Sequence, residues 1–195
     1  MRLLNLYQNW LIKSPLPSRM LTAGTIFLSG DILSQTCLES HSKIDTKRAF
    51  RKFVLGAAIC APVVYTWYSM GLPALQRLSI LKGHEHKLRM ISFAAVVDLS
   101  LWIMFFGNHQ IFWNGMLEHG DINRSASGVS QNIVETEIRN HWLMAVISTI
   151  NIGLVPSVYR GVVATGTCVY WNVYLAHNKR AEIAEIDLNN EVILE

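Results

Sequence analysis

Apolar positions gather into four long blocks, and short polar or charged stretches separate them. The last block, Trp142 to Ala176, is the most extreme, because Arg160 is its only formally ionised side chain. As one straight helix at 1.5 Å per residue it would run about 52 Å, against a hydrocarbon core of roughly 30 Å. Pro156 removes a backbone donor and clashes with the preceding turn, so the spacing predicts a kink or break there. Asn151 and Tyr159-Arg160 flank that break, and Trp171-Asn172 with Tyr174-Leu175 close the block. A lone arginine beside a broken backbone needs a partner, a hydrated cavity or a route to the interface.

The other blocks carry polar residues in patterns. Met20 to Cys37 places Thr22, Thr25 and Ser29 on one face and Gly30, Asp31, Ser34 and Gln35 at its far end. A span polar on one side faces protein or a pore rather than lipid alone. Phe53 to Met70 contains the small pair Ala57 and Ala61, a mid-span Pro62, and Trp67-Tyr68, which resemble an interfacial aromatic belt. Lys47, Arg48, Arg51 and Lys52 stand at its mouth, where basic side chains most often snorkel to headgroups. Met90 to Gly107, extended by aromatics to Trp113, holds Asp98 in its middle. Such an ionisable group is a functional candidate, and its plain alternative is a partnered carboxylate that fixes helix packing. Ahead of the first block, Leu3, Leu4, Tyr7, Trp10 and Leu11 recur at helical spacing, and Ser14-Pro15-Leu16-Pro17 ends that helix and prepares the next. Between Gly115 and His141 the chain is polar, with Val129, Ile133, Ile138 and Trp142 suggesting a short amphipathic helix.

The expected fold is an all-α membrane protein. It is a bundle of about four transmembrane helices plus short amphipathic helices, with the last apolar block broken near Pro156. Residues 1–180 form a single membrane helical domain and 181–195 an acidic tail.

Composition supports this reading. Hydrophobic residues make up 51% and charged ones 16%, below the quarter or so of a soluble domain. The net charge of +3, with no basic run among aromatics, argues against nucleic-acid contact. Cys37, Cys60 and Cys168 show no metal spacing and read as buried thiols; His84 and His86 lack further ligands. No nucleophile elbow, zincin pair, Walker loop or dinucleotide fingerprint occurs, so neither catalysis nor a cofactor is expected. Orientation is undetermined, since Lys and Arg divide nine to seven between the two faces.

Residue by residue, the chain resembles the Mpv-seventeen family, also called the 22-kilodalton peroxisomal membrane protein family. The similarity begins at Leu21-Thr22-Ala23-Gly24 and Gly30-Asp31-Ile32 with Ser34-Gln35. It continues through Arg48, Arg51, Gly56, Pro62 and Trp67-Tyr68. Its strongest part is Asn140, Asn151, Val155-Pro156, Tyr159-Arg160, Trp171-Asn172 and Tyr174-Leu175. Departures are Leu99 where the family has Gln after Asp98, Ile103-Met104 where it has Ala-Pro, and Met144-Ala145 where it has Trp-Pro. The resemblance implies a four-span protein of the mitochondrial inner membrane or the peroxisomal membrane. Mitochondrial DNA maintenance, reactive-oxygen metabolism and weakly selective small-solute conduction are the associated roles. The basic, acid-free N-terminus favours mitochondria over peroxisomes.

The expected function is a small-solute or ion channel. Its pathway would be lined by Asp31, Asp98, Arg160, Asn151 and the Thr22/Thr25/Ser29 face. Gln35, Arg48, Pro156, Tyr159, Trp171 and Asn172 complete the pore or helix-packing candidates. The competing class is a non-conducting structural or interaction protein in which the same charges lock the bundle, and a redox role for Cys60 or Cys168 is a third reading. The bilayer, a small metabolite or ion, and a second copy of the chain are the partners considered.

Overall fold

A computed structural model describes residues 2–38, 43–77, 87–101, 108–139, 141–167 and 170, and every regular element among them is helical. Helix α1 (Arg2–Lys13) stops where Pro15 lacks a donor, and α2 (Pro15–Leu33) starts on that proline. Leu11 and Tyr7 turn inward, while Leu3 and Leu6 stay exposed, so only part of the expected apolar face packs. A wide π turn, Ser34–Leu38, extends α2.

The long central helix, Thr46–Leu75, is the one helix among the described residues that is long and apolar enough to cross a membrane. It is built from α3 (Thr46–Val54), α4 (Ala61–Thr66) and α5 (Leu72–Gln76), joined by π turns at Leu55–Cys60 and Trp67–Gly71. Each wide turn ends just ahead of a proline, Pro62 or Pro73. In both, the N–H after the turn reaches five residues back, Ala61 to Gly56 and Leu72 to Trp67. Widening the turn relieves the clash that a proline ring makes with the carbonyl four residues earlier. Asp45 caps the N-terminus by accepting from the Arg48 N–H at 2.9 Å.

Helix α2 lies against this central helix at very close range. A Cβ at Gly56 would meet the Ala23 carbonyl oxygen at 2.7 Å, and one at Gly24 would meet Ala57 at 3.0 Å. Ala57 of the expected small pair thus meets Gly24, and Gly56 beside it meets Ala23, which lets the two helices approach closely.

Beyond residue 86 come α6 (Lys87–Leu101), α7 (Asn108–His119), α8 (Ile122–Arg139) and α9 (His141–Gly153). The aromatic extension to Trp113 belongs to α7, a helix of its own. The polar stretch expected to hold a short amphipathic helix does hold one, α8, which is longer than expected and packs back on α7 as a hairpin. Gly120 turns it at φ 69°, and Asp121 then accepts from the Asn123 and Arg124 N–H groups. The last apolar block is broken as its proline requires. Helix α9 ends at Gly153, residues 154–156 are not helical, and α10 (157–167) follows. At 13 residues, α9 spans about 20 Å, short of a bilayer by itself. The core joins Phe27, Leu55, Val64, Tyr68 and Leu72 to Ala94 and Ala95 of α6, Ile152 of α9 and Ala164 of α10. The acidic tail and Cys168 lie outside the described residues.

Candidate functional site

Asp98 of α6 is a fully enclosed carboxylate, 0% exposed. Three neutral donors from two other helices converge on it. Trp67 Nε1–H donates to Oδ1 at 2.6 Å, while the Ser148 hydroxyl at 2.6 Å and the Tyr68 hydroxyl at 3.2 Å donate to Oδ2. Trp67 and Tyr68, read from sequence as belt residues, are thus half-buried and buried donors to a carboxylate. Hydrogen bonding replaces the hydration that burial removes.

From Tyr68 the polar line continues to the chain break. Asn151 of α9, 1% exposed, donates from Nδ2 to the Tyr68 hydroxyl at 3.1 Å and to the Arg160 carbonyl at 3.2 Å. Asn151 Oδ1 and the Tyr159 hydroxyl are buried without a hydrogen-bond partner among the described residues.

Arg160 repairs the break. In a continuous helix the Ile152 carbonyl would accept from residue 156, but proline has no N–H. Arg160 Nη2 donates to that carbonyl instead, at 2.8 Å. The Val155 carbonyl loses its partner because the Tyr159 N–H bonds Pro156 three residues back, and Arg160 Nε takes it at 3.0 Å. Among the described residues the lone cation of the block therefore holds backbone carbonyls.

Arg19 does the same work at the first break. Leu11 is the carbonyl orphaned by Pro15, and Arg19 Nη1 donates to it at 3.3 Å and to Pro15 O at 2.8 Å. Its Nη2 crosses to the Val158 carbonyl in α10 at 3.1 Å, and the guanidinium sits 5.1 Å from the Tyr65 ring centroid. Sequence reading counted Arg19 only as an N-terminal charge. The available signal was an arginine four residues after a helix-breaking proline, present at both places.

A second cluster closes the far end of α2. Asp31 Oδ1 pairs with Arg48 Nε at 2.9 Å, and Asp31 Oδ2 accepts from Gln35 Nε2 at 2.7 Å. Gln35 Oε1 also accepts from the Asp45 N–H at 2.7 Å, latching α2 to the start of the central helix. Lys52, one turn below Arg48, donates to Asn114 of α7 at 2.8 Å. The structure thus joins Asp31, Gln35 and Arg48 in one cluster, and joins Asp98 to Asn151 and Arg160 in another. Trp171 and Asn172 lie outside the described residues.

The Thr22, Thr25 and Ser29 hydroxyls all donate to carbonyls of their own helix, and Thr22 also meets the Tyr7 hydroxyl of α1 at 3.0 Å. Cys60 is a buried free thiol, without the exposure that the redox reading required.

No family model and no solved structure matches the chain. Curated proteins do. A Rattus norvegicus protein named mitochondrial inner membrane protein Mpv17 is 28% identical over 181 residues, 90% of this chain and 97% of its own. The Caenorhabditis elegans protein of the same name is 26% identical over 91% of this chain and 93% of its own. Protein SYM1 of Mycosarcoma maydis is 25% identical over 84% and 79% respectively.

The chain is a divergent homologue of the Mpv17 and SYM1 proteins.

Alignment across most of both chains carries the comparison over both polar clusters, not one motif. The names of the Mpv17 relatives support a mitochondrial inner membrane location for this chain. Its relatives' names point to no enzyme.

Proposed function

We propose that this Mpv17 homologue is a small-solute channel of the mitochondrial inner membrane, its pathway following the polar line from Asp98 through Tyr68 and Asn151 to the Pro156 break. The observation that carries this reading is a pair of buried polar atoms at that break with no hydrogen-bond partner among the described residues, Asn151 Oδ1 and the Tyr159 hydroxyl. Irregular backbone at membrane depth is tolerated where protein buries it or where it meets water, and these two atoms are suited to water or a small polar solute. Arg160 is not the variant to use, because its guanidinium supports backbone carbonyls and its loss damages the fold first.

The test is planar-bilayer recording of purified protein, wild type beside Tyr159→Phe. That variant deletes an unpartnered hydroxyl, so thermal stability should hold within about 1 kcal/mol, while single-channel conductance or selectivity changes. A folded wild-type protein that stays silent over a range of voltage and pH sinks the channel.

A second reading is a non-conducting structural protein. It is favoured by the complete enclosure of Asp98, whose two oxygens are occupied by three side-chain donors. Silence in the bilayer, together with loss of folding on Asp98→Ala, would establish it.

A further inference from the structure

The four basic residues at the mouth of the central helix divide into two pairs, each one helical turn apart. Arg48 and Lys52 point inward and are engaged, Arg48 by Asp31 and Lys52 by Asn114. Lys47 is exposed and Arg51 half-buried on the adjoining face, and no hydrogen bond or ion pair holds either side chain among the described residues. Among the described residues Asp45 is within electrostatic reach of Arg51, and its carboxylate already caps the Arg48 N–H. The helix end is therefore closed to an incoming anion, whereas Lys47 and Arg51 are not.

Below that pair the same face turns apolar. Phe50 is 63% exposed and stacks on Phe53 at 6.3 Å, and Val54 and Ala58 follow at helical spacing, with Ala58 exposed. Just above, Ile44 is also exposed. Side chains three and four apart on a helix are neighbours, so Lys47 and Arg51 form a two-pronged cationic clasp directly over an aromatic and aliphatic strip. A soluble anion would match the clasp but leave the strip in water. A soluble protein partner would have to cover a strip at the entrance of a membrane-spanning helix.

We propose that Lys47, Phe50 and Arg51 form a binding site for an acidic glycerophospholipid, with its phosphate between the two cations and an acyl chain along Phe50, Val54 and Ala58. Fixed phosphate contacts at this point set the depth of the central helix in the bilayer. They also explain why the basic cluster is twice as large as the inward contacts require.

The experiment titrates the purified full chain in detergent with phosphatidylglycerol and with phosphatidylcholine, reading retained lipid by native mass spectrometry and stabilisation by thermal melting. The wild type should prefer phosphatidylglycerol. Lys47→Gln with Arg51→Gln should weaken that binding about 30-fold, at the scale of one Lys or Arg contact each to an acidic membrane. Lys47→Arg with Arg51→Lys should retain it, and Phe50→Ser should weaken both lipids. A control that removes two exposed cations elsewhere, Lys13→Gln with Arg124→Gln, should leave the preference intact. Equal binding of the two lipids by the wild type overturns the proposal, as does an equal loss in the control. Full competition by glycerol phosphate or inorganic phosphate at matched concentration would assign the clasp to a soluble anion and overturn it too. If the double glutamine variant does not fold, Lys47→Gln alone, at an exposed position, carries the test.

Discussion

The breaks at Pro15 and Pro156 share a sequence spacing but differ in reach. In both, a proline leaves the carbonyl four residues before it without a donor, and an arginine four residues after it supplies one. At Pro156 the bonds assigned to Arg160 all fall within the break itself, on Ile152 and Val155. At Pro15 the guanidinium has donors to spare, and Arg19 extends them to Val158 and the Tyr65 ring. One device mends a kink; the other also ties the N-terminal helices to the last block. Arginine suits both because its planar fork offers five N–H donors in fixed directions, which a lysine cannot match. The comparison shows that a cation in an apolar helix need not signal ion traffic.

The largest expected effect comes from emptying the kink. Arg160→Met leaves two sheltered carbonyls unpaired and should cost about 3 kcal/mol, on a scale of 1–3 for each buried polar group. Adding Pro156→Ala returns an N–H to the Ile152 carbonyl. The double variant should therefore be more stable than Arg160→Met alone, by an interaction energy of about 1–2 kcal/mol. Strict additivity in a thermal or denaturant double-mutant cycle would mean that the arginine does not act through the missing prolyl donor. A smaller loss is expected at the other break. Arg19→Lys keeps the charge over Tyr65 but surrenders most of the fork, for a cost of about 1 kcal/mol. Limited proteolysis between α1 and α2 should rise with it, whereas the same measurement on Arg160→Met should not single out that junction.

The start of the central helix supplies the contrast, because it has no proline and uses a side-chain cap. The Arg48 backbone N–H holds the Asp45 carboxyl below its ordinary value of 3.8. A depressed folded-state pKa means that the ionised cap stabilises the fold fully above that ordinary value. The contribution is lost as pH falls through the folded value. Asp45→Asn still offers an oxygen to the N–H but cannot titrate there. Its melting temperature should consequently fall less than the wild type's below about pH 4. Identical acid profiles for the two proteins would remove Asp45 from the account.

Sequence pattern located the features that depend on local geometry. The helix start at Pro15, the interruption at Pro156 and the buried depth of Asp98 all follow from spacing and residue type, whereas the central helix begins at Thr46, inside the charged stretch that reads as a loop ahead of the apolar block at Phe53. Asp31 with Gln35 was also legible, since four residues apart on a helix means one face. What pattern could not supply was the identity of partners from other helices. Asp98 meets Trp67 and Tyr68 about thirty residues before it and Ser148 fifty after it, and only tertiary packing chooses them. A tryptophan and a tyrosine read equally well as an interfacial belt, because both situations need a ring with one polar edge. The helix after Gly120 was legible in the spacing of Val129, Ile133 and Ile138, but its early start at the Asp121 cap and its close approach to α7 at Gly115 and Ser125 were not.

The π turn at Trp67–Gly71 has a further consequence for Asp98. Successive side chains on an ordinary helix fan apart by about 100°, so two adjacent residues seldom address one small target. A wider turn closes that fan, and Trp67 and Tyr68 both arrive at the same carboxylate. Pro73, five and six residues downstream, thereby sets the aim of both rings through the coil it forces open.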